Sequence, residues 1–151
     1  MRKAINLQLI HKDNWEEVIR LRVKDEQLKF MATNLYSIAE SQFLDDFHTR
    51  AIFIDSLLIG FTMFGIDGDD HNYWIYRFMI DEKYQGKGYG VQGIREVINE
   101  IKKINIANIP YIMIGYHPEN LGAKYVYKKA GFVETEVAPW GEQLALYKLN
   151  E

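Results

Sequence analysis

The chain has 151 residues, 48% of them hydrophobic, which suits a single domain with its own core over residues 1–151. Its net charge of −3 is spread along the chain without a basic run, which argues against nucleic acid as a partner, and it has no cysteine, which excludes disulfides, thiolate metal sites and a cysteine nucleophile. No segment resembles a signal peptide or a membrane-spanning run, so we expect a cytoplasmic protein without membrane contact.

The N-terminal third of the chain predicts one strand and two helices. The segment AINLQLI (4–10) alternates apolar and polar residues, which is typical of a half-buried strand. Asp13 with Glu16 fits a capping box, and apolar residues follow at helical spacing, so a first helix is predicted there. The segment SIAESQFLDDF (37–47) predicts a second helix capped by Ser37.

The rest of the chain alternates further strands with two more helices. Six strands are predicted at residues 50–55, 57–66, 73–80, 111–116, 133–138 and 144–149. One helix follows the glycines near residue 88, and another runs from about Leu121 until Gly131 stops it. The strand–helix–strand unit requires parallel neighbours and the hairpins require antiparallel ones, so we expect an α/β fold with a mixed central sheet of about seven strands and about four helices.

Gly86, Gly88 and Gly90 alternate in the sequence QGKGYG, between an apolar strand and a helix. A Walker loop needs serine or threonine after the lysine, but here Gly88 follows Lys87. The sequence therefore excludes a magnesium-binding phosphate loop of the Walker type. Gly88, Gly90 and Gly93 match the dinucleotide fingerprint G-x-G-x-x-G. However, the strand ends near Ile80, and no acidic ribose partner stands about twenty residues further on.

A third design is a longer loop whose main-chain N–H groups wrap a pyrophosphate at a helix N-terminus. Glycines allow the phosphate to approach the backbone closely, and the helix dipole favours an anion. Gln85 can add a side-chain donor, and Lys87 can add a positive charge. Gln85, Gly88 and Gly90 fit the pattern Q/R-x-x-G-x-G/A that this design requires.

That pattern resembles the acetyl-CoA loop of the GCN5-related N-acetyltransferase (GNAT) superfamily. A second block agrees with it: NLGAKYVYKKAGF is similar to the family signature N-x-x-A-x-x-x-Y-x-K-x-G-F. The six matching positions are Asn120, Ala123, Tyr127, Lys129, Gly131 and Phe132. The resemblance covers Trp74 to Phe132 and implies a single-domain GNAT fold and an acetyl-CoA-dependent N-acetyltransferase that uses no metal.

The resemblance also implies roles for individual residues. It places the pyrophosphate of acetyl-CoA on the loop from Gln85 to Gly90, and Tyr127 becomes the candidate general acid that protonates the departing thiolate. The pantetheine arm would pair with the strand backbone like an added strand. The expected cofactor-binding residues are Phe78, Met79, Ile80, Gln85, Gly86, Lys87, Gly88, Tyr89, Gly90, Asn120, Ala123 and Lys129.

The general base is less clearly marked. Many family members carry a glutamate on the strand before the loop, where this chain has Tyr76. A water chain to Glu26, Glu82 or His117 could serve instead, or the amine could arrive neutral. Since an alkylammonium has a pKa of about 10.4, its neutral form is scarce at pH 7.

For the acceptor, the segment KDEQLKFMATNLYSIAES (24–41) resembles the N-terminal helical segment of bacterial spermine/spermidine acetyltransferases. This implies a polyamine acceptor attacked directly in a ternary complex. The expected substrate-binding residues are Glu26, Glu40, Tyr36 and Glu82. A protein N-terminal or other small-amine acetyltransferase and a non-catalytic acyl-CoA sensor stay open as alternatives, and so does a homodimer. Trp74, Trp140 and the methionines are interpreted as core or interface residues.

Overall fold

A computed structural model describes residues 4–150 of the chain. Its seven strands form one sheet in the order β1-β2-β3-β4-β5-β7-β6. The strands are β1 (Ile5–Leu9), β2 (Phe47–Ile54), β3 (Leu57–Ile66), β4 (Tyr73–Ile80), β5 (Tyr111–Tyr116), β6 (Val133–Val137) and β7 (Gln143–Lys148). Only β4 and β5 pair in parallel; the other pairs are antiparallel. The predicted mixed sheet is therefore confirmed.

Four α-helices flank the sheet within residues 4–150: α1 (Trp15–Arg20), α2 (Asn34–Ser41), α3 (Tyr89–Ile104) and α4 (Leu121–Ala130). Two short 3₁₀ segments accompany them, Asp25–Phe30 and Glu82–Tyr84, and neither was predicted. No helix in the described part of the chain is long and apolar enough to cross a bilayer.

The two C-terminal helices, α3 and α4, form where the sequence predicts them, and α4 also begins and ends as predicted. In α3, Ile94, Val97, Ile98 and Ile101 are buried, and this stripe at helical spacing packs in one cluster with core residues of β4, β5 and α4. Helix α4 ends at Gly131, whose φ of 112° is the left-handed conformation that stops a helix. Both helices share one face of the sheet.

The two N-terminal helices begin at other residues than predicted. Helix α2 starts at Asn34 because the Thr33 hydroxyl accepts from the Tyr36 N–H, so Ser37 is inside the helix and not its cap. The helix ends at Ser41 and β2 already begins at Phe47. The predicted capping box of Asp13 and Glu16 does not form: α1 begins after Asn14, whose side chain instead accepts from the His11 N–H and donates to the Leu9 carbonyl.

A β-bulge in β4 opens the centre of the sheet. Met63 of β3 pairs with Arg77 and the next residue, Phe64, pairs with Ile75, so Tyr76 is the extra residue. Tyr76 packs in the α1–α2 cluster and Arg77 donates to Glu40 of α2, which places two consecutive side chains on the same face. The parallel pairing of β4 with β5 covers only Tyr73–Ile75, and the two strands part beyond it.

Candidate active site

A cleft of about 570 Å³ opens where β4 and β5 separate. Its walls come from the 3₁₀ segment Asp25–Phe30, the C-terminal half of β4, the glycine loop, the first turn of α3, the end of β5 and α4. Most of these elements are far apart in sequence. The cleft therefore exists because the bulge and the short parallel pairing hold the sheet open.

The glycine loop presents main chain at one end of the cleft. Gly86 and Gly88 have φ angles of 78° and 85°, which side-chain-bearing residues rarely adopt, and a Cβ at either would meet no atom within 4 Å. Gly88 is the N-cap of α3, and no side chain caps that end. The first N–H groups of a 16-residue helix, whose dipole attracts anions, are thus not covered by a capping side chain.

Two other glycines serve close packing. A Cβ on Gly90 would come within 3.2 Å of Val126, and one on Gly93 would come within 2.9 Å of the Phe78 ring. Small residues here let the start of α3 lie against both α4 and β4. This explains the chance match to the dinucleotide fingerprint: its last glycine packs a helix on a strand in this fold as well.

Gln85 ties the glycine loop to the opposite wall. Its amide nitrogen donates to the Ile80 carbonyl at 2.9 Å and to Oε1 of Gln27 at 3.0 Å. The same Gln27 oxygen accepts from the Lys24 N–H at 2.9 Å. The Gln85 amide N–H groups, predicted as phosphate donors, are thus engaged inside the protein and fix the loop to the 3₁₀ segment.

Beyond Ile75, the edge of β4 that faces β5 has no pairing strand. Phe78, Met79 and Ile80, predicted to bind the cofactor arm, line the cleft on this stretch. Unpaired strand backbone is the surface that an extended amide chain can join by β-augmentation. The separation of β4 and β5 thus leaves open the strand backbone with which the pantetheine arm is expected to pair.

Helix α4 supplies the far wall with Tyr127, which is 8% exposed and borders the cleft. Its ring lies 5.5 Å from that of Tyr116, centroid to centroid. Burial, with Tyr116 and Glu142 nearby, raises the pKa of the Tyr127 phenol well above its usual value, so the hydroxyl keeps its proton at neutral pH. This is the protonation state that a general acid requires.

Asn120 and Ala123 form the start of α4 and also line the cleft. The Asn120 side-chain oxygen accepts from the Ala123 N–H at 3.1 Å and thereby caps the helix. The remaining predicted cofactor residues do not line the cleft. Lys87 is exposed at the tip of the loop, and Lys129 is exposed on α4. Tyr89, the first residue of α3, packs against the part of the core that contains β1 and β2.

None of the four predicted acceptor-binding residues lines the cleft. Glu26 and Tyr36 are exposed, Glu40 is paired with Arg77 at 2.9 Å, and Glu82 is 3.4 Å from Arg22. The 3₁₀ segment instead turns Gln27 and Phe30 towards the cleft, with the Phe30 ring 5.1 Å from the ring of His117. The helical spacing assumed for residues 24–41 does not apply to a 3₁₀ turn followed by a separate helix.

Tyr76 lines the cleft where a glutamate is common in the family the sequence resembles. Its hydroxyl donates to Asp67 of the β3–β4 turn, and its ring lies 4.4 Å from that of Phe47. Burial and the Asp67 carboxylate raise the pKa of the phenol far above its usual value. Tyr76 therefore stays neutral and does not replace a carboxylate directly.

Glu142 lines the cleft and was missed by the sequence reasoning. It lies in the β6–β7 turn, and its Oε1 accepts from the Trp140 indole N–H at 2.7 Å. Trp140 itself is 64% exposed and is not a core residue. No motif contains Glu142; the one available signal was that it lies, with Gln143, in the turn between the strands predicted at 133–138 and 144–149.

The model of the acetyltransferase (GNAT) family matches residues 15–132. The chain belongs to the acetyltransferase (GNAT) family. This confirms the resemblance seen in the two sequence blocks and the enzyme class expected from it, an acetyl-CoA-dependent N-acetyltransferase.

Two curated relatives of this GNAT chain come from Bacillus subtilis. It is 27% identical over 135 residues to the spermine/spermidine N(1)-acetyltransferase of strain 168 and 26% identical over 135 residues to a probable spermine N(1)-acetyltransferase of subspecies natto strain BEST195. Each alignment covers 85% of this chain and 88% of the relative.

Solved structures support the fold. Aminoglycoside acetyltransferase AAC(6')-Ib in complex with coenzyme A and kanamycin superposes with a TM-score of 0.76 at 17% identity, over 96% of this chain and 95% of the other. Spermidine N-acetyltransferase from Vibrio cholerae, in complex with CoA and spermine, gives 0.74 at 15% identity over the same shares. At these identities the likeness shows the GNAT fold.

Proposed function

We propose that this GNAT enzyme transfers the acetyl group of acetyl-CoA to a primary amine of a polyamine such as spermine or spermidine, by direct attack in a ternary complex. One observation carries the chemistry: a single cleft joins the main-chain anion site at Gly88 to the buried phenol of Tyr127. The two Bacillus relatives, which are a spermine/spermidine and a probable spermine acetyltransferase, support the acceptor class.

The residues of the cleft fit acetyl-CoA. The N–H groups from Gly86 to Gly90 would hold the pyrophosphate, and the exposed Lys87 would add positive charge near it. The open edge of β4 from Phe78 to Ile80 would hold the amide-containing arm, and Asn120 and Ala123 border that arm across the gap. Bound there, acetyl-CoA supplies a thioester carbonyl that an amine can attack.

Tyr127 would donate its proton to the sulfur that leaves. A thiolate with a pKa near 8.5 is a weaker base than a phenolate with a raised pKa, so the contribution of Tyr127 depends on its placement and not on its acidity. Its buried position next to Tyr116 supports such a placement. Lys129, two residues further along α4 and exposed on its surface, would act on the cofactor from outside the cleft.

The amine must lose a proton before it attacks. Of the three side chains predicted to take this proton through water, His117 lines the cleft, whereas Glu26 is exposed outside it and Glu82 is held by Arg22. The His117 Nδ1 already accepts from the Glu119 N–H, which leaves Nε2 as the nitrogen for this role. We propose His117 as the end of the water chain.

Release of the CoA thiol against single amines tests the proposal. Spermine and spermidine should give a higher kcat/KM than n-butylamine, a peptide N-terminus or an aminoglycoside. Initial rates with both substrates varied should give intersecting lines, because the two must be bound together. A peptide preferred over the polyamines, equal kcat/KM for butylamine and spermine, or CoA binding without any turnover would each contradict the proposal.

A further inference from the structure

The carboxylate of Glu142 lies on the face of the sheet opposite α3 and α4. On β5, Ile112, Ile114 and Tyr116 pack into the cluster formed with α3 and α4, so Gly115 between them faces the opposite side of the sheet. A Cβ built on Gly115 would lie 3.0 Å from Oε1 of Glu142. The carboxylate therefore occupies the space that the missing Gly115 side chain leaves.

Charge makes Glu142 distinct among the residues around the cleft. Within residues 4–150 it is the one acidic side chain that lines the cleft. The cationic side chain of Arg77 also lines the cleft, but its Nη2 is 2.9 Å from Oε1 of Glu40 and its Nη1 donates to the Tyr76 carbonyl. The positive charge of Arg77 is thus paired with the carboxylate of Glu40 on α2, whereas the carboxylate of Glu142 accepts a hydrogen bond from the neutral indole of Trp140.

Glu142 is also close to the reacting end of the cleft. Gly115 is followed on β5 by Tyr116, whose ring centroid lies 5.5 Å from that of Tyr127, and Glu142 and Tyr127 both line the cleft. The charge of Glu142 also contributes to the raised pKa of the Tyr127 phenol. For an amine that attacks a thioester beside Tyr127, the nearest available carboxylate among the residues that line the cleft is therefore that of Glu142.

We infer that Glu142 is the acceptor-binding carboxylate of this enzyme, which holds an ammonium group of the polyamine beside Gly115 and opposite Tyr127. The inference rests on the proposed function for the class of acceptor. A carboxylate at the mouth of a partly buried cleft binds an ammonium group more strongly than an exposed one, because less water screens the pair. Trp140 sets the direction of the carboxylate.

The variant Glu142→Gln separates charge from structure. The glutamine oxygen can still accept from the Trp140 indole, so the turn is expected to keep its conformation and the protein its Tm. The KM for spermidine should rise roughly ten-fold or more, the usual scale for a hydrogen bond to a charged group, with a smaller change in kcat. The KM for acetyl-CoA should not change.

Two further variants sharpen the test. Glu136→Gln removes a carboxylate from the exposed β6 strand of the same hairpin and should leave both KM values as in the native chain. Gly115→Ala keeps the charge of Glu142 but pushes its carboxylate aside, since the added Cβ meets it at 3.0 Å. It should therefore raise the spermidine KM in the same direction as Glu142→Gln.

Calorimetry with CoA-saturated protein completes the experiment without turnover. Spermidine should bind the native chain and the Glu136→Gln variant alike, and should bind Glu142→Gln at least ten-fold more weakly, with the difference shrinking as salt rises. Equal affinity in native and Glu142→Gln protein, or no binding to the native chain, would overturn the role of Glu142. Spermidine bound through Glu142 but never acetylated would contradict the proposed function alone.

Discussion

The two sides of the cleft are built from different kinds of atoms. The side that fits acetyl-CoA consists largely of main chain: the loop from Gly86 to Gly90, the first turn of α3 and the open edge of β4. The other side consists of side chains from distant segments, among them Phe30, His117 and Glu142. A main-chain site can bind a ligand that all members of a family share, such as acetyl-CoA. A site made of side chains can differ between members and so can change with the acceptor.

This difference explains how each side responds to substitution. On the main-chain side, the important residues are those that allow a backbone conformation, so a substitution acts through φ angles and helix packing. On the side-chain side, a substitution acts through charge and shape.

The largest effect is expected from Tyr127→Phe, at the point where the two sides meet. Loss of the hydroxyl should lower kcat roughly ten- to thousand-fold, the range of a general acid, with the dissociation constant of CoA unchanged. Tyr147→Phe is the matched control, since Tyr147 is a half-buried phenol on β7 that packs against Phe132 away from the cleft. The steady-state rate of CoA release measures kcat for both variants. Turnover of Tyr127→Phe at the native rate would show that Tyr127 is only a core aromatic residue.

Gly88→Val should come next and should act on the cofactor alone. Valine is strained at a φ of 85°, at a cost of about 1–3 kcal/mol, and the loop would relax away from the geometry that presents its N–H groups. Calorimetry should show the dissociation constant of acetyl-CoA raised about ten- to hundred-fold.

Gly68→Val is the control for the loop variant. Gly68 lies in the exposed β3–β4 turn, has no positive φ and has open space around its Cβ direction. Native affinity in Gly88→Val, or an equal loss in Gly68→Val, would show that the loop is an ordinary turn. Loss of binding on addition of a chelator would contradict a metal-free site.

A smaller effect is expected from Glu26→Gln, on the rim of the acceptor side. Glu26 precedes the cleft-lining Gln27 but is itself exposed, so water and salt screen its attraction for a distant ammonium group. The KM for spermine should rise only a few-fold, more than kcat falls, and the difference should vanish at high salt. Initial rates at two ionic strengths measure this, and an unchanged KM at low salt would remove Glu26 from the acceptor site.

The smallest effect is expected from alkaline pH on the contribution of Tyr127 to kcat. Since the pKa of Tyr127 is raised above the ordinary phenol value of about 10, the proton it donates is present throughout the neutral and moderately alkaline range. At saturating substrates, kcat should therefore not fall between pH 7 and pH 10 through loss of this acid. A falling limb centred below pH 10, in protein that circular dichroism shows to be folded, would contradict the assignment.

How far the sequence predicts the molecule follows from the same contrast. The glycine loop, helix α3 and the Asn120–Phe132 block are continuous in sequence, and their turn chemistry and periodicity identify them. The proposed acceptor side is assembled by the bulge at Tyr76, by a 3₁₀ turn and by the β6–β7 turn, and none of these has a local sequence signature. The sequence places the start of α2 at Ser37, whereas Thr33 caps that helix in the structure. Glu142 was missed because its position depends on strand pairing and on the missing side chain of Gly115.

The most direct test of the account is a competition in one vessel. Native enzyme with acetyl-CoA would be given equal concentrations of spermidine, an aminoglycoside and a short peptide with a free N-terminus, and the acetylated products would be quantified by mass spectrometry at low conversion. The product ratio equals the ratio of kcat/KM values. We expect acetylspermidine to be the major product, and to lose that lead in Glu142→Gln protein; a major product from the aminoglycoside or the peptide in the native enzyme would contradict the account.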